Sequence, residues 1–216
     1  MWVIPKMTLE FIEGMLDVLE VLERKYDPEY PVICLDEKSK QLLKETRQFL
    51  GMKPGSLKRV DYEYKRNGTA NLFVMVEPKG GKRVIRVTKH RKKREYALFV
   101  KYLVDKAYKD AKTLVLIEDN LNTHNKGSLI EAFGEKEGER IATKIEWHYT
   151  PKHASWLDPA EIEIHSLETI CLNKRIGFFQ DMQSEVAAYV RERNQYHCGI
   201  NWQFTREKAI KKFHLD

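Results

Sequence analysis

The chain has 216 residues, 42% of them hydrophobic and 32% charged, with 38 Lys/Arg against 32 Asp/Glu and a formal net charge of +6. That length supports one sizeable domain with its own core, and that composition excludes a disordered chain. No apolar run approaches the ~20 residues of a membrane span, and Met1–Pro5 lacks the basic and apolar regions of a signal peptide. Cys34, Cys171 and Cys198 are too few and too scattered for a disulfide framework or a Cys-rich zinc site, so a reducing cytoplasm is the expected compartment.

Residues 8–25 read as an amphipathic helix, with Leu9, Ile12, Leu16, Leu19 and Leu22 at three- and four-residue steps. Pro28 and Pro31 end it, and residues 31–36 read as a buried strand closing on Asp36. Thr69–Val76 and Val84–Thr88 read as an antiparallel hairpin turning at Glu77–Gly81. A helix over Tyr96–Ala107 follows, then an apolar strand, Thr113–Ile117, running into Glu118-Asp119-Asn120. Next come a helix through Leu129, Ile130 and Phe133, a short strand over Lys144–Tyr149, and helices from Asp158 to about Leu172 and over 178–193. Apolar strands alternating with helices, preceded by a hairpin, imply an α/β domain with a mixed central sheet.

The charge is unevenly spread. Residues 1–37 carry 3 Lys/Arg against 9 Asp/Glu, residues 38–94 carry 18 against 4, and residues 95–216 carry 17 against 19. Lys79–Arg94 is the densest part, with 9 basic residues and no acidic one. Such a segment fits a polyanionic partner or a solvated ribbon; DNA or RNA is the natural polyanion.

Asp36 and Asp119 stand at the C-terminal ends of the two most apolar strands. In open α/β sheets, functional groups gather outside those ends. Two buried carboxylates repel one another, and divalent cations relieve the repulsion. A third acidic ligand comes from the segment that starts with Asp158-Pro159, a strong helix opening with Asp158 as N-cap. Glu161 and Glu163 flank its apolar stripe on opposite sides, so the helical wheel leaves both open, and Glu161 also fits a capping-box role.

The segments Cys34-Leu35-Asp36-Glu37-Lys38-Ser39, Asp119-Asn120-Leu121-Asn122-Thr123-His124 and Tyr149-Thr150-Pro151-Lys152-His153-Ala154-Ser155-Trp156-Leu157-Asp158-Pro159-Ala160-Glu161 together resemble the mariner-like DDE transposases, in particular the prokaryotic insertion-sequence branch. The resemblance runs from about residue 25 to the C-terminus. It implies a ribonuclease-H-like fold over residues 31–216, preceded by an amphipathic helix and linker over 1–30. It also implies metal-dependent cleavage and strand transfer at the ends of a DNA element, with two Mg²⁺ or Mn²⁺ ions. By the same resemblance Asp36, Asp119 and Glu161 are the catalytic and metal-binding acids, with Glu163 as the fallback. The partners implied are double-stranded DNA, a second copy of the chain, and a separate helix-turn-helix chain, because residues 1–30 offer one helix where the family carries such modules.

The candidate DNA contacts are Lys38, Lys82, Arg83, Arg91, Lys92, Lys93, Arg94, His124, His153 and Trp156. Trp156 reads equally as a base-stacking group or a core anchor, and the histidines also read as helix caps or solvent-facing groups. The sequence departs from the family in three ways: Asp158 stands where Asn is usual, the interval from Asp119 to Glu161 is longer, with the excess assigned to Gly134–Arg140, and the helix-turn-helix region does not appear. A non-catalytic DNA-binding remnant and a structure-selective nuclease of the same fold are the competing functions.

Overall fold

The computed structural model describes residues 7–47, 51–56 and 61–215; Met1–Pro5, read above for a signal peptide, lies outside them. Helix α1 (Leu9–Glu23) opens where the Thr8 hydroxyl accepts the Phe11 N–H at 3.2 Å, satisfying a donor that has no partner within the helix. Its buried stripe is Phe11, Met15, Val18, Leu19, Val21 and Leu22. The expected stripe was rotated from this one: Leu9 is 78% exposed, while Ile12 and Leu16 are half-buried. The helix lies on the sheet, its stripe sharing a core with Cys34, Val76, Val115 and Ile117. The sheet beneath it therefore selects which apolar residues face inward.

Strands β1 (Val32–Glu45), β2 (Tyr64–Val76), β3 (Arg83–Thr88), β4 (Leu114–Asp119) and β5 (Ile145–Thr150) form one sheet in the order β3-β2-β1-β4-β5. β1, β2 and β3 are antiparallel neighbours, while β1–β4 and β4–β5 pair in parallel, so the sheet is mixed as expected. β1 and β2 run well past their apolar stretches into an exposed two-stranded arm, paired from Cys34–Val76 out to Glu45–Tyr64. Backbone pairing makes this extension, and polar side chains in it give no hydrophobic pattern to read.

Alternation along the strands divides the core. Ile33, Leu35, Phe73, Met75, Leu114 and Leu116 face helices α2 (Lys93–Tyr102), α3 (Lys126–Phe133) and α4 (Glu135–Ala142). Ala70, Leu72 and Val74 face the other way, against α5 (Pro159–Ile170) and α6 (Phe179–Gln195). A C-terminal helix, α7 (Arg206–Phe213), packs near α1 and was not legible in the sequence.

α2 begins inside the basic run, where Glu95 accepts the Lys92 N–H at 3.1 Å, and it continues through a wider π turn over Leu103–Ala107. The long interval between Asp119 and Glu161 holds a real element, α4, rather than a loop. Gly134, at φ 80°, breaks the chain between α3 and α4. Gly138 lets α4 approach α3 so closely that a Cβ there would lie 2.7 Å from the Ile130 Cα. α5 opens as expected, with Asp158 accepting the Ala160 N–H at 2.8 Å and Pro159 at the first helical position.

Candidate active site

β1 and β4 are parallel neighbours in register, with Leu35 opposite Glu118. Asp36 and Asp119 follow one position later, so the two stand level; Asp119 closes β4, but Asp36, expected at a strand end, lies inside β1, which β2 pairing carries on to Glu45. α5 starts beside them and carries Glu161 on its first turn. The fields of Asp119 and Glu161 both reach Asp36. The carboxyl of Asp36 is pushed up to about 6 by burial first; the 2.6 Å hydrogen bond it accepts from the Glu37 N–H opposes this, and repulsion from Asp119 and Glu161 adds to it. Asp158, fully enclosed as the α5 N-cap, adds a fourth carboxyl. Burial raises it well above the usual range, with Asp36, Glu161 and Asp119 raising it further.

Behind Asp119 lies a polar network that the sequence did not reveal. His124 is 1% exposed. Its Nδ1 sits 3.2 Å from the Asp119 main-chain carbonyl and 2.6 Å from Asp119 Oδ1, and its Nε2 sits 3.1 Å from Glu37 Oε1. The ring stacks on Tyr96 with centroids 4.7 Å apart, and the Tyr96 hydroxyl donates to the buried carboxylate of Glu118 at 2.9 Å. Burial opposes charge on His124, but the hydrogen bonds to Asp119 and Glu37 outweigh it and, with the field of Glu118, push its pKa up to about 10. Glu118 is raised to about 7 by burial, with His124 and Tyr96 pulling the other way. The one available signal for this network was an acid, Glu118, closing an otherwise apolar strand interior.

The acidic end of the sheet is suited to hard cations. Its donors are carboxylates, they repel one another, and Asp119 Oδ1 is buried without an aligned hydrogen bond despite its close approach to His124. Among the described residues no three acidic, histidine or cysteine side chains are yet gathered at ligating distance.

The remaining expected site residues divide sharply. Glu163 does not join the acidic end: it is 1% exposed and its Oε2 lies 2.7 Å from the Arg83 Nε. Arg83, expected to meet phosphate, is likewise 1% exposed and faces inward, because its charge is held by that glutamate. Lys82 also departs from the expectation. It lies over the Tyr108 ring at 4.0 Å and bonds the Ala107 carbonyl, and burial lowers its pKa. His124 is enclosed by carboxylates, which removes it from phosphate contact. Trp156 packs edge-on against Phe204 with centroids 5.6 Å apart, the core-anchor alternative.

Lys38 pairs with Glu168 on α5 at 2.9 Å. His153 is exposed in a left-handed turn, φ 65°. Arg91, Lys92, Lys93 and Arg94 are all exposed; Lys93 pairs with Glu131 at 2.7 Å, and Arg91 comes within 4.0 Å of Glu37, which brings the basic run to the rim of the acidic end. No described helix is long and apolar enough to cross a membrane.

Residues 31–183 match the family model described as DDE superfamily endonuclease. The Mos1 mariner paired-end complex with Mn is similar in structure, with a TM-score of 0.57 at 15% identity, covering 89% of this chain and 58% of that one. The Mos1 strand transfer complex gives 0.59 at 13% identity, covering 88% and 57%. The catalytic domain of Mos1 mariner transposase gives 0.57 at 13% identity, covering 88% of this chain and 85% of that domain. The chain thus spans just over half the length of the transposase chains in those complexes, and its fold is the ribonuclease-H-like fold of the catalytic domain. No curated protein matches the sequence.

Proposed function

Because the chain belongs to the DDE superfamily endonucleases, we propose that it is the catalytic domain of a mariner-like DNA transposase of the prokaryotic insertion-sequence branch. It cuts phosphodiester bonds at the ends of a DNA element and joins the freed strand to a target. The observation that supports this reading is that Asp36, one register step past the Leu35–Glu118 pair, is largely buried with its carboxyl raised to about 6, burial being the main cause and the fields of Asp119 and Glu161 adding to it. Asp36, Asp119 and Glu161 are the residues that would hold Mg²⁺ or Mn²⁺. When bound, the ions supply charge neutralisation, a lowered pKa for water, and stabilisation of the leaving 3′ oxygen.

The chain's own residues do the rest by positioning. His124 holds Asp119 and Glu37 in place through its two ring nitrogens. The exposed run Arg91–Arg94 beside this end engages phosphates of double-stranded DNA, giving affinity without sequence choice. Lys38, half-buried beside Glu168, and the exposed His153 are further phosphate contacts. In the similar structures the DNA is a transposon end in a paired-end complex; for this chain we propose a dimer on DNA in the prokaryotic cytoplasm, with element ends read by a helix-turn-helix partner.

Asp36→Asn and Asp119→Asn variants test the reading. Each is expected to abolish Mg²⁺-dependent cleavage of duplex DNA while circular dichroism shows an intact fold. Full cleavage by either purified variant rejects the assignment. A joined product, rather than nicked DNA alone, separates a transposase from a nuclease of the same fold.

A further inference from the structure

Glu163 and Arg83 form the centre of a buried polar knot that the proposed chemistry does not use. Tyr189 of α6 donates its hydroxyl to Glu163 Oε1 at 2.7 Å and lies 2.9 Å from the Ser166 hydroxyl, one turn further along α5. Arg83 donates through Nη1 to the Gly81 carbonyl at 2.8 Å and through Nη2 to the Cys198 carbonyl. Asn194 of α6 clasps the Arg83 main chain from both sides, accepting its N–H at 2.8 Å and donating to its carbonyl at 2.9 Å. Arg193 adds a second cation 3.7 Å from Glu163. Three elements, α5, β3 and α6, are tied at one point.

Two residues of helix separate Glu163 from Glu161, about 200° of rotation, so the two side chains leave opposite flanks of α5. The apolar stripe, Ala160, Ile164 and Leu167, sets which face of α5 turns inward but tolerates a small rotation, because burial is non-directional. The Tyr189–Glu163 hydrogen bond is directional, and the 2.7 Å contact of Arg83 Nε with Glu163 Oε2 fixes a distance to β3. We propose that the Arg83–Glu163 pair is a positioning element that fixes the rotation of α5 and thereby presents Glu161 to Asp36. The inference rests on the function proposed above, in which Glu161 is a metal ligand. It assigns to β3 and α6, elements remote from the acidic end, control over how well a cation is held there.

The test uses the full chain and the double variant R83M/E163M, in which apolar side chains of similar length replace both charges. Such replacements of a buried pair usually keep a protein folded. Mn²⁺ affinity is read by calorimetry, thermal midpoint by scanning, and kcat and KM by DNA cleavage. Expected are a folded variant, Mn²⁺ affinity about 10-fold weaker, as for other groups that orient metal ligands, and a lower kcat with KM for DNA unchanged. A role in stability alone would shift the midpoint and leave Mn²⁺ affinity intact. A folded R83M/E163M that binds Mn²⁺ as the wild type does overturns the inference. Should that variant not fold, Y189F is read in the same way: weaker Mn²⁺ binding supports positioning, and unaltered binding overturns it. Failure of the wild-type chain itself to bind Mn²⁺ overturns the proposed function and this inference together, whereas normal wild-type binding with an unaltered variant overturns this inference alone.

Discussion

Two glutamates two residues apart on α5 live under opposite electrostatics. Glu163 is enclosed, yet its charge is met by Arg83, Tyr189 and Arg193. Glu161 is half-exposed, and its field falls on Asp36 and Asp158, carboxyls that already repel each other. Burial therefore does not separate the two; whether the charge is met does. A fold tolerates a knot of compensated charge as structure, but mutual repulsion among carboxylates is retained at a cost that binding chemistry explains.

The sharpest way to break this comparison is to remove the charge of Glu161 on one side and the partner of Glu163 on the other. In E161Q, loss of a ligand is expected to reduce metal-dependent cleavage by about 1,000-fold, since several kcal/mol of charge stabilisation are involved. Its metal-free stability should be unchanged or higher, because one repelling charge is gone; a large loss of stability in a urea titration would refute this. On the other side, R83A leaves Glu163 buried without its main partner and is expected to destabilise the fold by about 3–5 kcal/mol, read from the same titration. An R83A midpoint equal to the wild type would show that the knot is not what holds α5.

The pH dependence of the metal-free protein sharpens the contrast further. Asp36 and Glu118 are raised to about 6 and about 7, so the folded chain holds these protons more tightly than the unfolded chain does. The stability these two groups contribute is fully present at the low end of the ordinary carboxylate range and falls as pH rises from about 4 to 7. D36N is expected to remove roughly 2–3 kcal/mol of that fall. Surface carboxylates held low, such as Glu137 at about 2 between Arg140 and Lys101, act oppositely but below this window. Thermal midpoints that rise across pH 4–7, or a D36N profile parallel to the wild type, would count against the assignment.

The smallest expected effect concerns the basic residues. Neutralising Arg91, Lys92, Lys93 and Arg94 should lower the slope of log K for duplex DNA against log salt by about 3. Neutralising Lys82, which is turned inward over Tyr108, should leave the slope unchanged. Equal slopes for both variants would remove the run from the DNA interface.

Much of the layout was legible in the sequence because it is local. The apolar runs ending at Asp36 and Asp119, the Glu77–Gly81 turn and the Asp158-Pro159 helix start are all set within a few residues, and each appears where expected. Less legible was what depends on partners distant in sequence. The polar half of β1 is a strand because β2 pairs with it. α4 is short and charged, and its contact with α3 rests on Gly138, whose missing side chain leaves no hydrophobic signal. Arg83 sits in a basic run and looks like its neighbours until the fold brings Glu163 to it across 80 residues of chain.

By itself the sequence determined that this is a basic α/β chain with acidic residues closing two apolar runs, since periodicity, capping and local charge are properties of neighbours along the chain. Tertiary structure decided which charges are answered and which are not. It gave Arg83 to Glu163, enclosed His124 between Asp119 and Glu37, and set Asp36 within the fields of Asp119 and Glu161. The physical reason is that an ion pair or a repulsion depends on distance and dielectric in space, and neither is set by position in the chain.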